Sequence, residues 1–209
     1  MCAEGRLLNR LRMIWIQWRG MKKIKYIPFL VNYILFPISI LALKRLPDNS
    51  YPEMYVEQLA FLFIPALSIW WPACILQEYI EGDGAETLRL YEKSKLADVC
   101  AYLVLYYICI MPLILCFMNM YPRIMPEVYL RLFAQCIFSV GAVYMFSFMF
   151  QSITAAFIPV LAYDLFAENR IFTLLSRLQI ENVVTTGSYV FCGIVFFLIG
   201  VTYHRYIRN

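Results

Sequence analysis

LFAQCIFSVGAVYMFSFMFQSITAAFIPVLAYDLF, residues 132–166, runs apolar almost without interruption, and its reading decides the fold. A helix crosses the hydrocarbon core of a bilayer in about 20 apolar residues, so this stretch is too long for one crossing. Its one polar cluster, Gln151-Ser152-Ile153-Thr154, predicts a tight hairpin between a full span over 130–150 and a shorter one over 153–167.

Working outward with the same ruler, a first span falls over 26–43, a second over 59–79, a third over 98–118 and a sixth over 187–204. The chain is 62% hydrophobic and 15% charged, with a mean hydropathy of +0.66. So few polar side chains cannot cover a soluble domain. The expected fold is an all-α integral membrane protein, with six transmembrane helices in a single domain over 1–209.

Charge sets the orientation. With six spans and the N-terminus inside, the inner segments hold twelve of the eighteen Lys and Arg residues, among them Arg6, Arg10, Lys22, Lys23, Arg89, Lys93, Arg205 and Arg208. That asymmetry is the one the positive-inside rule predicts, and both termini are expected to be cytoplasmic. Without the break at Gln151, Arg205 and Arg208 would lie outside and the bias would weaken.

Two amphipathic segments flank the spans. At 100° per residue, Leu7, Leu8, Leu11, Ile14, Trp15 and Trp18 share one face, with Arg6, Arg10, Arg12 and Arg19 opposite. A helix over 6–20 is expected to lie on the cytoplasmic leaflet. The Arg and Trp in it also argue against a cleaved secretory signal. A second apolar face, Ile171, Phe172, Leu174, Leu175 and Leu178, predicts an outer interfacial helix before the last span.

Prolines stand in most spans, at 28, 37, 65, 72, 112 and 159, and each frees a carbonyl that a neighbour must satisfy. The seven cysteines contain no C-x-x-C pair and, Cys2 aside, sit in or beside apolar runs. They read as small apolar residues, with no disulfide and no metal site.

Charge is densest in 80–97, between the second and third spans. Ala85 to Lys95 has helix-forming composition, Gly82 and Gly84 permit a turn before it, and Asp83 and Glu86 suit the positive end of its dipole. From composition alone, a solvated connecting loop is the simpler reading of the stretch.

An amphipathic N-terminal helix, six spans, this acidic loop and an outer helix before the last span together resemble the permease subunit of type-2 ATP-binding-cassette (ABC) exporters. In that family the loop after the second span forms a coupling helix, and Glu81, Gly84, Thr87 and Leu88 match its pattern. Tyr91 to Lys95 falls where the family turns into the third span. The chain departs from the family at Ser94, where Pro is common, and at Cys100-Ala101, where Gly-Lys is common.

The resemblance implies that Glu81, Gly82, Asp83, Gly84, Glu86, Thr87, Leu88 and Tyr91 dock on an ABC ATPase subunit. It implies a second permease copy, as homodimer or heterodimer, and a bacterial cytoplasmic membrane. ATP and Mg are expected in the partner ATPase, because no G-x-x-x-x-G-K-[ST] phosphate loop occurs here. No cofactor and no nucleic-acid partner is expected in this chain.

Enzyme chemistry finds little footing. His204 is the sole histidine, so no His pair can hold zinc, and no G-x-S-x-G elbow occurs. Asp164 is the clearest ionisable group in an apolar run. It is expected near the outer boundary, as an end marker or as a lining of the path. Abundant aromatics and few buried charges favour a lipophilic or amphipathic cargo, such as a peptide or a lipid-linked molecule. The alternative is a membrane scaffold or accessory subunit with no transport path.

Overall fold

Prolines set where the first two apolar stretches break. In the computed structural model, which describes residues 12, 15–43, 52–82, 95–121, 126–164 and 182–208, the first stretch is a series of short pieces. A 3-10 turn, Ile24–Tyr26, leads into α1 (Ile27–Leu30), a π-turn (Val31–Leu35) and α2 (Phe36–Leu43). Pro28 sits in the first turn of α1, where its missing N–H costs nothing. The widened turn ends two residues before Pro37 and contains Tyr33, the residue whose carbonyl a proline ring at 37 crowds.

The second stretch divides likewise into α3 (Pro52–Ser68) and α4 (Trp70–Ile80). Pro72 has no N–H for the Ser68 carbonyl, so the regular ladder stops there and resumes with Ala73 donating to the Ile69 carbonyl at 2.9 Å. Three longer helices follow: α5 (Leu96–Met120), α6 (Pro126–Phe150) and α8 (Asn182–Arg208), with α7 (Ile153–Ala162) between the last two.

Among the described residues there is no strand, and five helical stretches are long and apolar enough to cross a membrane: Ile24–Ala42, Val56–Ile80, Leu96–Met120, Pro126–Phe150 and Thr186–Tyr206. Ile153–Ala162 is apolar but shorter. Helix covers the expected spans over 26–43, 59–79, 98–118, 130–150 and 187–204, with a break at Ile69, whereas the expected 153–167 is helical over Ile153–Ala162 and its residues 165–167 lie outside the described residues. Several extend beyond the expected limits, because helix continues into the polar flanks that a hydropathy ruler leaves out.

α6 is the centre of the bundle. It packs against α3, α4, α5, α7 and most extensively α8. Glycine makes the α6–α8 seam close: a Cβ on Gly141 would stand 2.7 Å from the Gly193 carbonyl oxygen. One on Gly200 would stand 2.5 Å from the Tyr144 ring. The core around α6 is strongly aromatic, with Trp71, Tyr79, Tyr102, Tyr106 and Tyr144 fully buried.

Of the N-terminal amphipathic segment, Arg12 and residues 15–20 are described, and 15–20 are helical. Trp15 is exposed, whereas Trp18 packs edge-on against Trp71 at 4.9 Å and stacks on Tyr102 at 6.3 Å. Trp18 thus anchors this helix to the bundle, a role beyond the expected seat in a leaflet. The outer amphipathic segment, 171–178, lies outside the described residues.

Candidate functional site

The acidic segment leaves α4 at Glu81, and its first residue is held by a distant part of the chain. One oxygen of the Glu81 carboxylate accepts from the Ser152 hydroxyl at 2.9 Å and from the Ile153 N–H at 2.8 Å. Ser152 is the N-cap of α7: its backbone is extended and its hydroxyl oxygen accepts from the Ala155 N–H at 3.5 Å. Glu81 therefore places a carboxylate at the positive end of the α7 dipole and takes an N–H that the helix itself leaves unbonded.

Local geometry at both partners is specialised. Gly82 follows immediately, and a Cβ there would stand 2.4 Å from the Glu78 carbonyl oxygen, so the turn out of α4 needs glycine. Gln151 takes a left-handed backbone, φ 52°, which reverses the chain between α6 and α7. Its side-chain amide donates to the Phe148 carbonyl at 2.6 Å and closes the end of α6. The hairpin expected at Gln151-Ser152 is present as a two-residue turn.

The segment returns at Lys95, which is buried and pairs with Asp98 at 3.4 Å in the first turn of α5. Its ammonium also lies 5.5 Å from the centre of the Tyr79 ring. Tyr79 in turn meets His204 near the end of α8, with the hydroxyl 3.4 Å from Nε2, and Phe148 packs edge-on against the same imidazole at 4.8 Å. One end of the bundle thus gathers the ends of α4, α6 and α8 and the starts of α5 and α7. Residues 20–22 reach this end too: Gly20, Met21 and Lys22 join Cys74, Gln77, Glu78, Glu81 and Gly82 around an open cavity of about 460 Å³.

Of the residues that the sequence assigns to docking, Glu81 and Gly82 sit at this end. Asp83, Gly84, Glu86, Thr87, Leu88 and Tyr91 lie outside the described residues.

Asp164 lies elsewhere. It is buried against α6, where its Oδ1 accepts from Ser139 Oγ at 2.9 Å and from Gln135 Nε2 at 3.3 Å. Arg131 continues the same face of α6, buried with its guanidinium 4.7 Å from the centre of the Phe61 ring. These are interior polar groups, more enclosed than residues that merely mark the end of a span. Their spacing, 131, 135, 139, is a helical period that sequence inspection can find.

Sequence reasoning missed Asn32, Tyr106, Ser152 as a cap, and the contact of Tyr79 with His204. For each of them, only the fold brings the partner to it. Among the described residues, no group of three or more His, Cys, Asp or Glu is placed to hold a metal ion, and Cys74, Cys100, Cys109, Cys116, Cys136 and Cys192 are free thiols. No protein-family model matches the chain, and no curated protein or solved structure matches it either.

Proposed function

We propose that the chain is the membrane-spanning permease subunit of a type-2 ABC exporter, coupled through the loop over residues 80–97 to a separate ATPase subunit. The observation that carries this reading is the Glu81 carboxylate bound to Ser152 and Ile153. A displacement of the acidic segment pulls on the start of α7 through that contact, as well as on α4 and α5, to which it is covalently joined. A solvated connection has no need of such a link.

The gathering of chain ends supports six spans. Tyr79 at the end of α4 touches His204 at the end of α8, and Ser152 at the start of α7 touches Glu81. The chain therefore leaves this end along α7 and returns to it along α8, so that α7 opens the short fifth crossing. Gly20, Met21 and Lys22 reach the same end, which supports a reading with both termini cytoplasmic, the amphipathic segment 6–20 on the inner leaflet and the one over 171–178 on the outer side. Two copies of the bundle, or this one and a related one, enclose a path for a lipophilic or amphipathic cargo. ATP and Mg belong to the ATPase subunits.

The test is to purify the full chain from its native membrane and identify what elutes with it. An ATP-hydrolysing subunit in stoichiometric amount is the expected result. A homogeneous chain with no such subunit, from membranes where it is folded, points to the scaffold reading instead. Labelling of single cysteines at 86 from inside and at 49, 119 and 181 from outside checks the topology.

A further inference from the structure

The proton count around Asn32 leaves one acceptor without a donor. Asn32 lies in the π-turn, 2% exposed, and its Nδ2 donates to the Tyr106 hydroxyl oxygen at 3.1 Å. The Tyr106 hydroxyl donates its single proton to the Ile64 carbonyl at 2.8 Å. A carbonyl can only accept, so Tyr106 has no proton left for Asn32 and must accept from it. That fixes the orientation of the amide, with Nδ2 toward Tyr106 and Oδ1 turned away. Asn32 Oδ1 is buried and has no hydrogen-bond partner among the described residues.

A small cavity adjoins this amide, lined by Pro28, Asn32, Tyr33, Trp71, Tyr106 and Cys109 among others. Its strong donors are already engaged. The Tyr33 hydroxyl donates to the Cys109 carbonyl, and Trp71 Nε1 donates to the Lys25 carbonyl at 3.0 Å. Only the Cys109 thiol, a weak donor, is not so committed. An amide oxygen enclosed in an apolar bundle is costly without a donor.

We propose that this cavity is a binding site for one water molecule, which donates to Asn32 Oδ1 and completes the contact of the first apolar stretch with α5. The volume open to the centre of such a molecule is about 10 Å³, at the lower limit of the roughly 10–15 Å³ that holds one water. The site therefore takes a single small donor. The oxygens of Tyr33 and Tyr106 and the Cys109 carbonyl line the cavity or adjoin it, and supply the acceptors that a second O–H needs. A lipid head group is disfavoured by depth: Asn32 stands eight residues after Ile24, the first residue of this apolar stretch, or ~12 Å along a helix axis. The water sits where the π-turn loosens the backbone, so the first stretch is tied to α5 by a contact whose outer half is exchangeable.

The test is a structure of the full chain in lipid, at a resolution that shows ordered solvent. One peak is expected at hydrogen-bonding distance from Asn32 Oδ1, about 2.6–3.2 Å, within the ring of Tyr33, Trp71, Tyr106 and Cys109. A detergent or lipid group in its place, or Oδ1 bonded directly to a protein donor, overturns the proposal. An independent check needs no variant that has to fold. Magnetisation transfer from water to the Asn32 side-chain amide protons is expected in the ¹⁵N-labelled protein, and its absence overturns the proposal as well.

Discussion

The seam between α6 and α8 and the contact of the first apolar stretch with α5 hold two parts of the same bundle by opposite means. At the seam, glycines let backbones approach until a single added methyl collides: Gly141 against the Gly193 carbonyl, Gly200 against the Tyr144 ring. Nothing there is exchangeable. The first stretch has no such fit, and most of its large apolar side chains, including Leu30, Ile34, Ile38 and Leu41, remain exposed. It is tied inward by the Asn32–Tyr106–Ile64 relay, by Tyr33 on the Cys109 carbonyl and by a few buried rings such as Phe36 against Phe117. One half is held by close backbone contact, the other by side-chain hydrogen bonds across a π-turn and a few buried rings.

The difference is broken most severely at the seam. Gly141→Val adds a branched side chain against a carbonyl that cannot retreat, and overpacking of this kind costs ~1–3 kcal/mol or more. The expected result is loss of most folded protein, read as the monodisperse yield in mild detergent and the midpoint of thermal unfolding. An unchanged midpoint would mean that the two helices slide freely, and the contrast between the halves would be gone.

Tyr106→Phe attacks the other half. It removes the donor to the Ile64 carbonyl and the acceptor for Asn32, a loss of ~1–2 kcal/mol. The protein should fold with a lower unfolding midpoint. A cysteine placed at Leu30 in a Cys-free background should also react differently with a lipophilic maleimide, because the first stretch is released from α5. A change confined to α6 and α8 would contradict the assignment of the relay.

The smallest of these effects sharpens the link between them. Glu81→Ala removes the carboxylate that accepts from Ser152 and the Ile153 N–H but leaves the Ser152 cap, and such a charge-assisted contact at a helix start is worth ~1 kcal/mol. Amide exchange at Ile153 should rise about fivefold, the factor that corresponds to ~1 kcal/mol, while exchange in the middle of α6 stays unchanged. Equal protection of Ile153 in both proteins would show that Glu81 does not hold the hairpin.

Hydropathy made the helices legible, because a run of about 20 apolar residues has few other uses. The polar cluster at Gln151-Ser152 also located the turn between α6 and α7, since a buried chain reversal needs groups that satisfy its backbone. The assignment of residues to docking came only from the resemblance, and most of them lie outside the described residues. The bond from Glu81 to Ser152 was not legible, because 71 residues separate the partners and no local pattern marks a distant cap. Close glycine packing was legible only in part: the small residues Ser139, Gly141, Ala142 and Ser147 mark 130–150 as a span that a neighbour can approach, but not which neighbour. Gly-xxx-Gly is a pattern within one helix, whereas Gly141 meets Gly193 across two. Asp164 stood out as a lone acid, yet its burial depends on Gln135 and Ser139 presenting one face of α6.

The most direct test of the coupling claim changes the segment itself and leaves the bundle alone. Leu88→Asp combined with Tyr91→Ala replaces the two large apolar residues of the proposed docking set, and truncation of such interface anchors costs ~2 kcal/mol or more. The ATPase recovered with the variant is measured beside that recovered with wild type, from the same membranes at an equal level of the chain. The account predicts that the variant inserts and folds normally and loses most of the ATPase. An equal amount of ATPase on both would contradict it, because a surface double change without a partner stays within about 0.5 kcal/mol per site.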